Sequence, residues 1–242
     1  MGLAAGQFSN TNGNFDVTFN VTDGSITITK LAVTVTITGD QVRAVYDSAA
    51  HQASGYAFSA SDALYLESYM SFSGSASVSR TDVGTTAMGL AAGQFSNTNG
   101  NFDVTFNVTD GFVTIVAAGA ILVTADSASK TYDGTALTKG TYTYTGVLAT
   151  GDYLEVVIEG SQTDVGSSAN VVKSVIVRDS EGNDVTSNYS SVDKENGVLT
   201  ITKLAVTVTI TGANDSQTYD GQSHDVDGYA FSASNTLYLE SY

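Results

Sequence analysis

LAVTVTIT, residues 31–38, sets the period of this chain. Val33, Val35 and Ile37 fall on one side of an extended backbone and Thr34, Thr36 and Thr38 on the other, which is the signature of a half-buried strand. The β-branched residues that dominate it suit a pleated surface. The same eight letters return at 204–211, inside a longer match, TITKLAVTVTITG, at 27–39 and 200–212. The match continues as GYAFSAS (55–61 and 228–234) and LYLESY (64–69 and 237–242). A second duplication is longer still: MGLAAGQFSNTNGNFDVTFNVTDG occupies both 1–24 and 88–111. The two shifts are 173 and 87 residues, and a Tyr-Asp pair at 46–47, 132–133 and 219–220 marks a diverged copy between them. Self-similarity at a fixed period is the mark of a repeat architecture.

Strand signals continue outward from this stretch. FDVTFNVT, at 15–22 and again at 102–109, alternates in the same way. Asn12-Gly13, Asp23-Gly24, Asp133-Gly134, Gly182-Asn183 and Asn196-Gly197 punctuate the runs and are expected to supply the positive φ that hairpin turns need. No helix of ten or more residues is expected, and residues 3–8 support one turn at most. Each repeat opens with an apolar-Thr strand (31–38, 120–125, 204–211) and closes with a strand that follows a glycine (24–29, 111–116, 197–202). The predicted fold is all-β: tandem Ig-like β-sandwich modules of about 87 residues, about seven strands each, stacked end to end. Complete modules are expected at 31–117 and, in diverged form, at 118–203. Residues 1–30 are the back part of an incomplete repeat and 204–242 the front part of another. Linkers of a residue or two, such as Lys30 and Lys203, predict a stiff rod.

Composition narrows the function. With 25 acidic against 9 basic residues and a net charge of −16, the chain is a poor match for nucleic acid or anionic lipid. The charge also keeps long molecules soluble and apart. There is no Cys, which excludes disulfides and thiolate metal sites, and no Pro, which fits a chain whose strands use every backbone N–H. No apolar stretch approaches the roughly 20 residues that span a bilayer. Residue 1 falls inside a repeat and no secretory leader is visible, so the sequence reads as a window onto a longer protein or a processed form of one.

The middle copy carries SKTYDGTALTKG (129–140), SQTDVGSSANVV (161–172), RDSEGNDVTSNYS (178–190) and NGVLTITK (196–203). These segments resemble the MBG (mostly beta, glycine-containing) repeats of bacterial secreted and cell-surface proteins. The flanking copies follow the same pattern at AVYDSAAH (44–51), RTDVGTTAM (80–88), NFDVTFNVTDG (101–111) and QTYDGQSH (217–224), with Ser48 departing from the glycine of the Tyr-Asp-Gly turn. The resemblance implies a β-rich stalk or adhesin region outside a bacterial cell. It carries over no catalytic residue.

The side chains that could bear chemistry read better as structure. The Thr-Tyr-Asp-Gly turns at 131–134 and 218–221 are expected to be turns, with Tyr132 and Tyr219 buried and their hydroxyls on backbone groups. Asp215, Asp220, Asp225 and Asp227 lack the spacing of a calcium loop, and the sister copy keeps only Asp47 among Val42, Gln52 and Ser54. Residues 179–184 hold a tighter acidic group that a hairpin turn also explains. His51 and His224, one per repeat, are too few for a triad or a zinc site. Lys30, Lys130, Lys139, Lys173, Lys194 and Lys203 show no spacing that singles out a crosslink. The sequons at Asn20, Asn107, Asn188 and Asn214 arise readily in a Thr-rich chain, and Tyr142 and Tyr144 share one strand face. No catalytic, cofactor-binding or metal-binding residue is assigned, no cofactor is expected, and the chain is read as not an enzyme.

The reading that remains is a structural segment of an extracellular filament or surface stalk, built from head-to-tail modules. The partners would be copies of itself, with neither nucleic acid nor membrane insertion. The cut fits two forms, a window onto one long chain of repeats or a subunit completed by its neighbour through strand complementation. Residues 204–242 of one chain followed by 1–30 of the next rebuild a repeat, short of the piece 70–87, and 204–242 alone leaves open strand edges. The alternatives are an adhesin that binds host glycan or protein through many copies and an accessory region of an enzyme whose catalysis lies elsewhere.

Overall fold

The alternation at 31–38 becomes the strand Leu31–Gly39 in the computed structural model, which describes residues 2–241. Val33, Val35 and Ile37 are buried and the intervening threonines face water. Beyond it the chain is built from many strands in several sheets, and short 3-10 turns are the helical content among the described residues. One of these turns, Ala5–Gln7, lies where a single turn was expected. No helix among the described residues is long and apolar enough to cross a membrane.

The chain divides into two compact units. The first comprises Met1–Val42, Gln52–Ser79 and Thr86–Val113. Its main sheet runs in the order Tyr56–Ala60, Leu31–Gly39, Phe102–Thr109. Leu31–Gly39 pairs antiparallel with Tyr56–Ala60 (Ile37↔Phe58, Gly39↔Tyr56) and parallel with Phe102–Thr109 (Leu31↔Phe102 through Thr38↔Thr109). Aromatic rings cover the buried face: Tyr65 meets Phe102 edge-on at 5.2 Å, and Phe72 stacks on Phe95 at 4.7 Å.

The second unit comprises Arg43–His51, Arg80–Thr85 and Thr114–Tyr242. It holds a sheet of Tyr142–Thr145, Ile121–Ala125 and Val192–Glu195, and a sheet of Ala128–Thr131, Gly197–Thr202, Gly166–Arg178 and Tyr153–Glu159. A further two-stranded sheet pairs Val208–Gly212 with Tyr229–Ala233. Ile121, Val123, Val177, Leu199 and Ile201 form the centre of its core.

Strand pairing repeats with the sequence. The parallel pair Val35↔Phe106 has its counterpart in Ile121↔Val192, each partner 86 residues further on (35 to 121, 106 to 192). The antiparallel pair Thr36↔Ser59 has its counterpart in Leu122↔Thr145 at the same shift. At a shift of 173, Val35↔Ala60 becomes Val208↔Ala233. The long-range backbone hydrogen bond from Tyr46 N–H to Val116 O, 2.9 Å, returns as Tyr132 N–H to Thr202 O, also 2.9 Å.

Some local expectations fail. Gly134 and Gly182 take positive φ, but Gly13, Gly24 and Gly197 do not. Gly197 is small for another reason. A Cβ on it would lie 2.5 Å from the carbonyl oxygens of Ala125 and Asp126. Its counterpart Gly111 meets Asp40 O at the same distance. The glycine that precedes each closing strand therefore lets that backbone run against the end of the opening strand. Asn170, buried in the same corner, donates to Asp126 O at 2.9 Å and to Lys139 O at 2.8 Å. Gly197→Ala is expected to cost about 2 kcal/mol in urea unfolding, the usual order for overpacking. Gly119→Ala, with nothing within 4 Å of the new methyl group, should leave the midpoint unchanged. Equal effects would remove the close-approach account.

Candidate assembly interface

Residues 2–24 and 89–111 are the same letters in two surroundings. Their local structure is the same. Ala4 N–H donates to Gln7 Oε1 at 2.9 Å, as Ala91 does to Gln94. The Asp23 carboxylate accepts from Gly2 and Leu3 N–H, as Asp110 accepts from Gly89 and Leu90. The outcome at the strand differs. Phe102–Thr109 pairs with Leu31–Gly39, whereas among the described residues 15–22 belongs to no strand. The expected strand at 15–22 is thus absent, for want of a neighbour. Phe102 is 8% exposed and Phe15 65%. The closing strand expected at 24–29 is missing for the same reason. Leu199 and Ile201 are 0% and 1% exposed, while their counterparts Ile26 and Ile28 are 90% exposed.

The front piece has the complementary deficit. LAVTVTIT at 204–211 makes only Val208–Gly212, held on one edge by Tyr229–Ala233 in the register of the intact repeat. Leu204 and Val206 stay out of strand structure, and Ile210 is exposed where Ile37 is buried. Tyr219, expected to be buried, is 94% exposed, whereas Tyr46 at the same place in the first full repeat is 5% exposed. Full burial of a large apolar side chain is worth about 2 kcal/mol. Five such groups, Phe15, Ile26, Ile28, Ile210 and Tyr219, stand in water here.

Within the second unit, residues of two repeats meet at a polar-aromatic joint. Tyr46 and Tyr189 pack edge-on at 5.8 Å, and both hydroxyls donate to Asp152 Oδ2, at 3.2 and 2.7 Å. Ser48 Oγ donates to Thr150 O at 2.5 Å, which ties down a Tyr-Asp-Ser turn that forms although Ser48 sits at φ 66°. Asn188, buried, donates to Asp82 Oδ1 at 2.8 Å and accepts from Val83 N–H at 2.9 Å. That burial closes its sequon. At the next repeat, Tyr132, Val165, Lys203, Leu204, Val206, Leu237 and Tyr238 line an open cleft of about 320 Å³.

The other candidates act as turns. Asp133 accepts from Thr135 N–H at 2.9 Å, and Lys130, 2.7 Å away, holds its carboxyl well below the usual range. His51 and His224 lie 3.0 and 2.8 Å from Asp47 and Asp220, each four residues earlier. Asp179 accepts from Glu181 and Asn183 N–H, both at 2.9 Å. Among the described residues no group of three or more acidic or histidine side chains is placed to hold a metal ion. Tyr144 is about half exposed on Tyr142–Thr145. Comparison with protein-family models, with curated proteins and with solved structures gave no match.

The joint has a pH signature. Burial pushes the Tyr46 phenol up to about 12, reinforced by the Asp152 carboxylate, and burial raises Tyr189 as well. A phenol raised above its unfolded value of about 10 adds stability that is complete below pH ~10 and fades as pH rises through the folded value. Urea stability should therefore fall between pH 10 and 12, more steeply in the native chain than in Tyr46→Phe/Tyr189→Phe. Parallel pH profiles would discount the joint.

Proposed function

We propose that this chain is a structural repeat segment, MBG-like, of an extracellular bacterial filament or surface stalk, assembled from β modules head to tail with strand complementation between neighbours. Residues 31–117 and 118–203 are its complete modules, and 1–30 and 204–242 its part-modules. The role is mechanical rather than catalytic, and the partners are further copies of the same module. The observation that carries this reading is the recurrence of strand register at one 86-residue shift. Units that share a strand frame can share a joint, and identical joints extend without limit. The joint at Tyr46 supports this, because its turn recurs at 131–134 with Gly134 against Leu237 as Ser48 lies against Thr150.

Imaging of negatively stained native material should show fibres or stalks with an axial period of about 40 Å, the length expected of a small sandwich at about 3.3 Å per strand residue. Boiled material then tells the two forms apart. A ladder in steps of 25.0 kDa means subunits, and one very large species means a continuous array. Isolated compact particles with no elongated form would reject the reading.

A further inference from the structure

Resting on that scaffold reading, we propose that residues 204–211 of one copy bind residues 15–22 of a second copy as a parallel strand, in the register Leu204↔Phe15 through Thr211↔Thr22. In the same joint, 26–29 of the incoming copy lies beside 215–218 of the receiving one, with Asp215 opposite Ile26 and Thr218 opposite Thr29.

The first register is a transfer between identical sequences. LAVTVTIT at 31–38 and FDVTFNVT at 102–109 pair in parallel from Leu31↔Phe102 to Thr38↔Thr109. The same two octets occur again at 204–211 and 15–22, and among the described residues neither has that neighbour. The second register comes from a different pair of strands. Ala128↔Leu199 through Thr131↔Thr202, moved by 87 and by −173, becomes Asp215↔Ile26 through Thr218↔Thr29. It places the exposed Ile26 and Ile28 where Leu199 and Ile201 are buried in the intact repeat.

The cleft at the receiving end suits the incoming side chains. Leu204, Val206 and Tyr238 line it. Leu204 and Val206 are the cross-strand neighbours of Phe15 and Val17 in this register. Tyr238 corresponds to Tyr65, which meets Phe102, the counterpart of Phe15, at 5.2 Å. Tyr132 lines the same cleft. In the joint already formed, its counterpart Tyr46 packs on Tyr189, which directly follows the 3-10 turn Thr186–Asn188.

A second copy is the occupant for two reasons. The strand Leu31–Gly39 of the same chain already carries Phe102–Thr109. The eight residues 23–30 are in any case too short for the crossover of a dozen or more that a parallel pair needs.

The absence of cysteine from the chain makes a clean trap available. Thr18→Cys and Thr207→Cys are counterparts of the cross-strand neighbours Thr105 and Thr34, on the water-facing side. The two single variants of the full chain, mixed and oxidised, should give a disulfide dimer that reductant dissolves. Asn20→Cys mixed with Thr207→Cys, two residues out of register, should trap at least tenfold more slowly. Separately, Ile26→Asp/Ile28→Asp should weaken self-association at least tenfold in sedimentation without moving the thermal midpoint of the monomer, because both side chains already face water. Equal trapping in both registers overturns the inference, and so does association untouched by the Ile26/Ile28 change. Particles larger than 25.0 kDa that fail to trap at 18 and 207 overturn the register and leave the scaffold reading standing. A monomer at every concentration overturns the inference and confines the scaffold to one continuous chain.

Discussion

Everything in this molecule depends on one long-range pairing: the opening strand of a repeat lies parallel to a strand that arrives some seventy residues later. Thr124 and Glu195, which touch across that pair, are 71 residues apart, as are Leu31 and Phe102. A parallel pair cannot be made by a tight turn, so closure waits for the end of the repeat. The antiparallel neighbour of the opening strand is local by comparison and forms without help. Val208–Gly212 keeps that neighbour in the correct register even with its parallel edge bare. The corner glycines belong to the same constraint. Gly111 and Gly197 let the closing strand approach the end of the opening strand more closely than any side chain allows.

Period two was legible wherever a strand found its partner. Leu31–Gly39, Ile121–Ala125 and Gly197–Thr202 lie where the alternation placed them. It misled at 15–22 and 24–29, and the reason is visible within the chain itself. Residues 15–22 and 102–109 are identical, yet only the second is a strand. Sheet structure is a property of pairs, and a single sequence window holds half of one. Tyr219 failed in a similar way: its counterpart Tyr46 is buried against Tyr189 of the following repeat, whereas Tyr219 stands in water. The joint of Tyr46, Asp152 and Tyr189 was missed although a trace of it existed. Asp152 stands 86 residues after Leu66, where the next copy has Leu239, so an acid interrupts an otherwise leucine position. Read as a deviation from the repeat, it marks the place where two tyrosine hydroxyls need an acceptor.

Repetition without change also carries a hazard. Two identical donors and two identical acceptors in one chain permit the wrong pairings, and tandem domains misassemble by this kind of exchange. Connection length removes one wrong partner, since 15–22 cannot reach back along 31–38 in parallel. Charge works against the rest. A net −16 per chain opposes close approach of any two copies, and salt weakens that opposition within a Debye length of about 10 Å at 0.1 M. The absence of proline has a place here too, because every donor strand must offer an unbroken row of N–H groups to whichever acceptor it meets.

If copies pair as the interior strands do, the strength of that pairing is set by how the strand is delivered. Inside a repeat, Phe102 and its strand are delivered to Leu31–Gly39 by their own polypeptide. Between copies, Phe15 and the same side chains would be delivered by diffusion. The strand pair would bury the same surface in both cases, so the difference would lie in two terms. One is effective concentration, which a covalent connection holds in the millimolar range for short links. The other is the backing that Met70–Phe72, Ser77–Arg80 and Gly84–Ala87 give inside a repeat. Neither term involves new chemistry. A polymer built this way lengthens or falls apart with the number of copies present, while each complete repeat keeps its own fold.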